Sequence, residues 1–353
     1  MKRMLGIFAA LLLLTTAACA AELPALPDGA LPEGLSEAAE REGVLSGGLS
    51  WLTSSAREAA LGALRAGARS AAQLVLVSLL CGAAAGLAES AGETAAQYVP
   101  FCGVAAAAVL SAGDWSALIG LGVRTAEELG TLSKLLLPTL AAAMASGGLA
   151  SAASVWQVTT LLVSDALCTA VARLLLPLAY GCIALSAAGA MLGEERLGAL
   201  SDGIGRLTAA LLKLAAGAFA GYLTLAGVLT GSADRAEIRA VKAAVSGAIP
   251  VVGGVLADTA ESALAAAGAL RGVIGALGVF AILAVCLAPL LRLGAQYLLY
   301  QLAAFAAGLA GTKPLAVFLD RLGRVFALVF AMTAACALIL LTAMLVAVTV
   351  AAG

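Results

Sequence analysis

The chain contains no histidine. That absence removes the commonest metal ligand and the usual general base, and with them HExxH zinc proteases and Ser–His intramembrane proteases. Charge is also scarce, at 12% of residues, with 20 basic against 21 acidic. No basic excess points to nucleic acid, and no acidic tail offers a solvating arm. Aromatic residues amount to 5%. The seven cysteines (Cys19, Cys81, Cys102, Cys168, Cys182, Cys286 and Cys336) stand singly, and all but Cys19 fall in apolar stretches. They read as small buried hydrophobes rather than zinc ligands or disulfide partners. No cofactor or metal is implied.

What fills the chain instead is hydrocarbon. Hydrophobic residues make up 62% and the mean hydropathy is +1.05, where soluble domains hold ~45–50% apolar residues. From Ala71 onward long apolar stretches recur, and the plainest, Val325 to Val350, has no charged side chain. About 20 such residues span a bilayer core of ~30 Å, since a helix rises ~1.5 Å per residue. The fold class is therefore all-α, a polytopic transmembrane helical bundle. Spans are expected at Ala71–Ala88, Tyr98–Val123, Leu135–Trp156, Val158–Ala172, Leu174–Leu192, Leu207–Leu229, Val273–Leu291, Leu293–Leu309 and Val325–Val350. Abundant glycine and alanine suit close helix packing in lipid.

Residues 1–20 have the three parts of a secretory signal: Lys2 and Arg3, the apolar run Met4 to Leu14, and small residues around Cys19. Cleavage before Ala21, an uncleaved anchor and lipidation of Cys19 all remain open. Residues 21–69 follow as an extracytoplasmic arm, Pro- and Glu-rich at first and then an amphipathic helix from about Trp51 to Arg69. The membrane domain occupies residues 70–353. Two spans separate the basic loop holding Arg235, Arg239 and Lys242 from the one holding Lys313, Arg321 and Arg324, so both are expected inside. Parity then requires Ala71–Ala88, which carries Gln73, to lie in the interface or re-enter, leaving about seven to eight spans.

Charges within the spans are the candidate functional residues. Asp165 and Arg173 fall about 80° apart around a helix and can face one interior. They form part of a polar path, or else mark a turn between two spans. Lys213 can snorkel. Gly217 and Gly221 match the GxxxG helix-packing pattern. Ser232 to Ser246 reads as an amphipathic helix with a cationic strip of Arg235, Arg239 and Lys242. The run Ile249-Pro250-Val-Val-Gly253-Gly254 then breaks the helix, and a second helical stretch carries Asp258 and Glu261. Helix, break and helix over 232–270 form either a re-entrant hairpin or an interfacial loop.

The segment Lys242 to Asp258 resembles the signature of the stage III sporulation protein AE family. The likeness continues through Leu270, the span with Pro289, Lys313-Pro314-Leu315 and Phe318-Leu319-Asp320-Arg321, and upstream through Leu135 to Pro138 with Gly147-Gly148. It covers most of residues 70–353, and the heavy Ala/Gly content and short arm depart from it. The resemblance implies a non-enzymatic component of a channel complex in the mother-cell membrane around the forespore. Its implied partners are the other proteins of the stage III sporulation A operon and, through them, a forespore membrane protein. Membrane lipid is a further partner, and nucleic acid is not one. The resemblance carries over no catalytic residues. A stand-alone permease is the alternative, with Asp114, Asp165 and the Pro250 break as its coupling groups. An intramembrane aspartyl protease fits poorly, because Ser111-Ala-Gly-Asp114 lacks the first glycine of Gly-x-Gly-Asp.

Overall fold

The computed structural model describes residues 44–89, 93–146, 150–225 and 273–352. These form α1 (Val44–Glu89), α2 (Glu93–Ser146), α3, α4 (Glu195–Leu225), α5 (Val273–Leu309) and α6 (Lys313–Ala352). Helix α3 consists of Ala150–Ala170 and Leu176–Leu192, joined without a break by the π-helical turn Val171–Leu175. Among the described residues there is no strand, as an all-α class requires. The signal segment, Ser232 to Ser246, and Ile249, Pro250, Gly253, Gly254 and Asp258 lie outside the described residues.

Among the described residues five helices, α1, α2, α3, α5 and α6, are long and apolar enough to cross a membrane, and several of the expected spans merge. The two spans expected on either side of Arg173 are one helix, and so are the two on either side of Arg292. A single arginine lowers local hydropathy but leaves the backbone ladder intact, so it does not end a helix. Left-handed glycines do. Gly193 (φ 68°) and Gly311 (φ 78°) close α3 and α5, with the Glu194 N–H donating to Gly189 O at 3.0 Å and the Thr312 N–H to Ala307 O at 3.2 Å. Pro100, Pro138 and Pro289 stay inside helices, as apolar surroundings often allow. Pro177 sits at the start of the second part of α3. The π turn before it lets Leu176 N–H reach Val171 O, which accommodates a ring that would otherwise crowd the preceding turn. The boundary expected at residue 70 also vanishes, because the amphipathic stretch and Ala71–Ala88 are one helix of 46 residues.

Side-chain contacts set the direction of each helix. A Cβ built on Gly48 would meet Phe280, one on Gly67 Gln296, and one on Gly82 Ala310, so α1 runs parallel to α5. Gly278 faces Met344 while Gln301 reaches Asp320, so α5 and α6 are antiparallel. Gly103 lies against Leu315 and Gly122 against Val329, which makes α2 parallel to α6. Tyr180 meets Ser116 and Asp165 meets Lys134, so α3 opposes α2. Ser186 meets Ser201 while Gly189 faces Gly198, so α4 opposes α3. The bundle is up-and-down, with a turn end that joins α1 to α2, α3 to α4 and α5 to α6. At the opposite, open end α1 begins, α4 ends, α5 begins and α6 ends.

The loop holding Arg235, Arg239 and Lys242 lies outside the described residues. One expectation about the second basic loop is overturned. Arg321 and Arg324 lie within α6 rather than in a loop.

Helix α6 is central. It packs against α2, α3, α4 and α5, while α1 packs on α2 and α5. Of the most apolar stretch in α6, 89% is buried, against 22% in α1. The side chains of Phe318 and Phe326 are fully enclosed, and Ala331, Ala335 and Cys336 let neighbouring helices approach closely. Among the described residues α4 and α5 make little contact with each other while both pack on α6, so that a groove runs between them over α6.

Candidate functional site

Three groups of polar residues interrupt the apolar helices. The first holds the two residues singled out in sequence. Asp165 on α3 pairs with Lys134 on α2, Oδ1 to Nζ at 2.6 Å. Arg173 lies about two turns further along α3, within the π turn. A cavity of about 200 Å³ brings Lys134, Asp165 and Arg173 together with Glu127, Thr131 and Thr169. Asp165 and Arg173 therefore share one polar recess and do not mark a turn. The recess holds carboxylates and cations side by side, and Arg173 and Glu127 have no ion-pair partner among the described residues. Such a lining suits a small polar solute carrying both signs of charge.

The second group lies in the α4–α5 groove. Asp202 on α4 forms ion pairs with two arginines of α6, Oδ2 to Arg321 Nε at 3.6 Å and Oδ1 to Arg324 Nη1 at 3.4 Å. Arg324 Nη2 also meets Asp320 Oδ2 at 3.2 Å, and Gln301 Nε2 on α5 donates to Asp320 Oδ1 at 3.3 Å. Two carboxylates balance two guanidinium groups, and the network ties three helices together. Gly198 makes room for it, because a Cβ there would collide with the Arg321 guanidinium. Sequence reasoning missed this group. Asp320, Arg321 and Arg324 read as a basic loop until the helix places Asp320 and Arg324 one turn apart.

The third group is interior. Tyr300 is stacked on Phe326 with centroids 5.1 Å apart, and its hydroxyl is neighboured by Trp115, Ser111 and Gln296, with Asp114 close by. Yet Tyr300 Oη, Trp115 Nε1 and Asp114 Oδ2 are buried without a well-formed hydrogen bond. Polar atoms left so in an apolar interior are costly.

Gly217 and Gly221 occupy an exposed face of α4, where a built Cβ on either would meet nothing within 4 Å. Among the described residues the GxxxG pattern is not used for packing. Ile249, Pro250, Gly253, Gly254 and Asp258 fall outside the described residues.

The family model for stage III sporulation protein AE matches residues 41–353, nearly the entire chain. No curated protein and no solved structure matches it.

Proposed function

We propose that this chain, which belongs to the stage III sporulation protein AE family, is a non-enzymatic membrane component of the channel complex linking mother cell and forespore. The observation that carries this reading is the family match over residues 41–353. A bundle of long helices, apolar outside and threaded by charged groups between helices, suits a packing and conduit-forming role. In this reading the chain sits in the mother-cell membrane around the forespore, and its signal segment places the N-terminal arm outside the cytoplasm. Its partners are the other proteins of the stage III sporulation A operon and, through them, a forespore membrane protein. It sustains late forespore gene expression. The Ile249–Gly254 break belongs to this role as a re-entrant element, with Asp258 just beyond it.

The test is genetic. Deleting the gene in a spore-forming host should leave engulfment intact while silencing a late forespore reporter and sharply reducing heat-resistant spores. Unaffected sporulation would sink the proposal. In the complemented strain, replacing Pro250 and Gly253 together by alanine should impair sporulation without preventing membrane insertion, since the break would become continuous helix.

A second reading, a stand-alone permease, draws on the recess at Lys134, Asp165 and Arg173. A growth or solute-uptake defect in the deletion strain, with normal sporulation, would favour it.

A further inference from the structure

The helices are far longer than a bilayer requires. The shortest of the six, α4, has 31 residues and the longest, α2, has 54, whereas ~20 suffice to cross. Either lipid covers the whole bundle or only part of it, and the outward-facing side chains distinguish the two.

Two helices define one interval. Helix α3 is free of charge from Leu174 to Gly193, between Arg173 and Glu194, and α5 is free from Leu293 to Thr312, between Arg292 and Lys313. Each interval is about 20 residues, or ~30 Å of helix, the thickness of a hydrocarbon core. Both run from the turn end to the middle of the bundle, as the contacts that fix the helix directions require. Helix α1 has a third such interval, Ser70–Ala88, set about two turns closer to the turn end.

The surface of this half is largely apolar. Leu80, Leu87, Val109, Leu302, Phe305 and Leu309 are exposed there, each by more than half of its area. At its inner border stand Arg124, Arg173, Lys213 and Arg292, each exposed and each on a different helix. This is where long cationic side chains snorkel toward headgroups. The α4–α5 groove breaks the apolar belt with Asp202, Asp320 and Arg324, and the pairing already described lowers the cost of holding them at depth, while the exposed Arg206 of α4 donates its Nε–H to the Asp202 carbonyl oxygen at 3.3 Å.

The open-end half differs. Its outward faces carry Arg57, Glu58, Glu127, Glu128 and Lys134, all exposed. Leu135, Val158 and Leu162 are exposed apolar residues of that half. Two long uncharged runs reach this half: Leu135–Ser164, across the end of α2 and the start of α3, and the run of α6 that begins at Val325, whose most apolar stretch is 89% buried. The apolarity of the α6 run serves a protein core.

We propose that the bilayer covers only the turn-end half of this bundle, with anionic headgroups against the Arg124, Arg173, Lys213 and Arg292 border. The open-end half, built around α6, projects into water.

The full chain in vesicles of phosphatidylethanolamine and phosphatidylglycerol tests this. Spin labels on Val109→Cys and Leu302→Cys should collide with oxygen and be shielded from a water-soluble nickel chelate equilibrated across the membrane. Labels on Glu58→Cys and Val158→Cys should show the reverse, with several-fold higher chelate access. Chelate shielding at Val158 and Glu58 equal to that at Val109 would overturn the proposal. Because a cysteine-substituted background can fold poorly, the unmodified chain is also labelled with a photoactivatable phospholipid and mapped by mass spectrometry. Adducts within 293–309 and 98–113 but absent from 44–64 support the half-embedded bundle, and equal labelling of 44–64 overturns it.

Discussion

Helices α6 and α1 are both apolar enough to cross a membrane, yet the structure uses them in opposite ways. The apolar stretch of α6 is 89% buried by protein, and that of α1 is 22% buried. In α6 the buried face runs all the way round, so apolarity fills a core. In α1, Leu74 packs inward while Leu76 and Leu80 point outward, so apolarity is shared between core and lipid. Hydropathy measures what a side chain dislikes. It does not say whether protein or lipid relieves that dislike, because a lipid tail is as apolar as leucine.

The contrast can be broken most severely at Phe326, which is fully enclosed in α6. Phe326→Ala should cost about 3–5 kcal/mol by leaving a cavity, read as a lowered unfolding midpoint in mild detergent. Leu80→Ala, on the outer face of α1, should change the same midpoint by ~0.5 kcal/mol or less. Equal losses at the two positions would mean that α1 is as enclosed as α6.

Two glycines on α1 sharpen the point. A Cβ on Gly82 would stand 2.5 Å from the Ala310 carbonyl oxygen, whereas one on Gly86 would meet nothing within 4 Å. Gly82→Val should therefore cost about 1–3 kcal/mol through overpacking against α5, and Gly86→Val should be nearly silent. Thermal unfolding of the two variants side by side decides it.

At the α4–α6 seam, Asp202→Asn leaves Arg321 and Arg324 with one carboxylate instead of two. The Arg321 side chain is 16% exposed and that of Arg324 48% exposed. The loss should thus fall between the buried and exposed limits for ion pairs, about 1–2 kcal/mol. Unchanged stability would show that the seam is held by packing alone.

The smallest effect is expected at Tyr300. Its hydroxyl is buried without a well-formed partner, so Tyr300→Phe should be neutral or slightly stabilising while keeping the stack on Phe326. A clear loss of stability would reveal a hydrogen bond that the structure does not contain.

Much of the fold was legible in the chain. The apolar runs, the helix class and the family likeness follow from residues 70–353 read in order. The count of crossings was not legible, because Arg173 and Arg292 look like loops to any local average although neither interrupts a helix. Of the site residues, Asp165 and Arg173 were paired by their helical spacing, with a turn between two spans as the other reading, and both line one recess. The partner of Asp165, Lys134, was not found, since it comes from another helix. The Asp202–Arg321–Arg324 network was missed for the same reason: its members are far apart in sequence and meet only when α4 lies against α6.

The sequence by itself determined that this protein is helical, apolar throughout and without histidine chemistry, because those properties are sums over residues and local spacings. Only the tertiary structure decided which apolar surface faces protein and which charges find partners. Those outcomes depend on the relative placement of helices, and a hydrophobic residue carries no mark of the neighbour that will cover it.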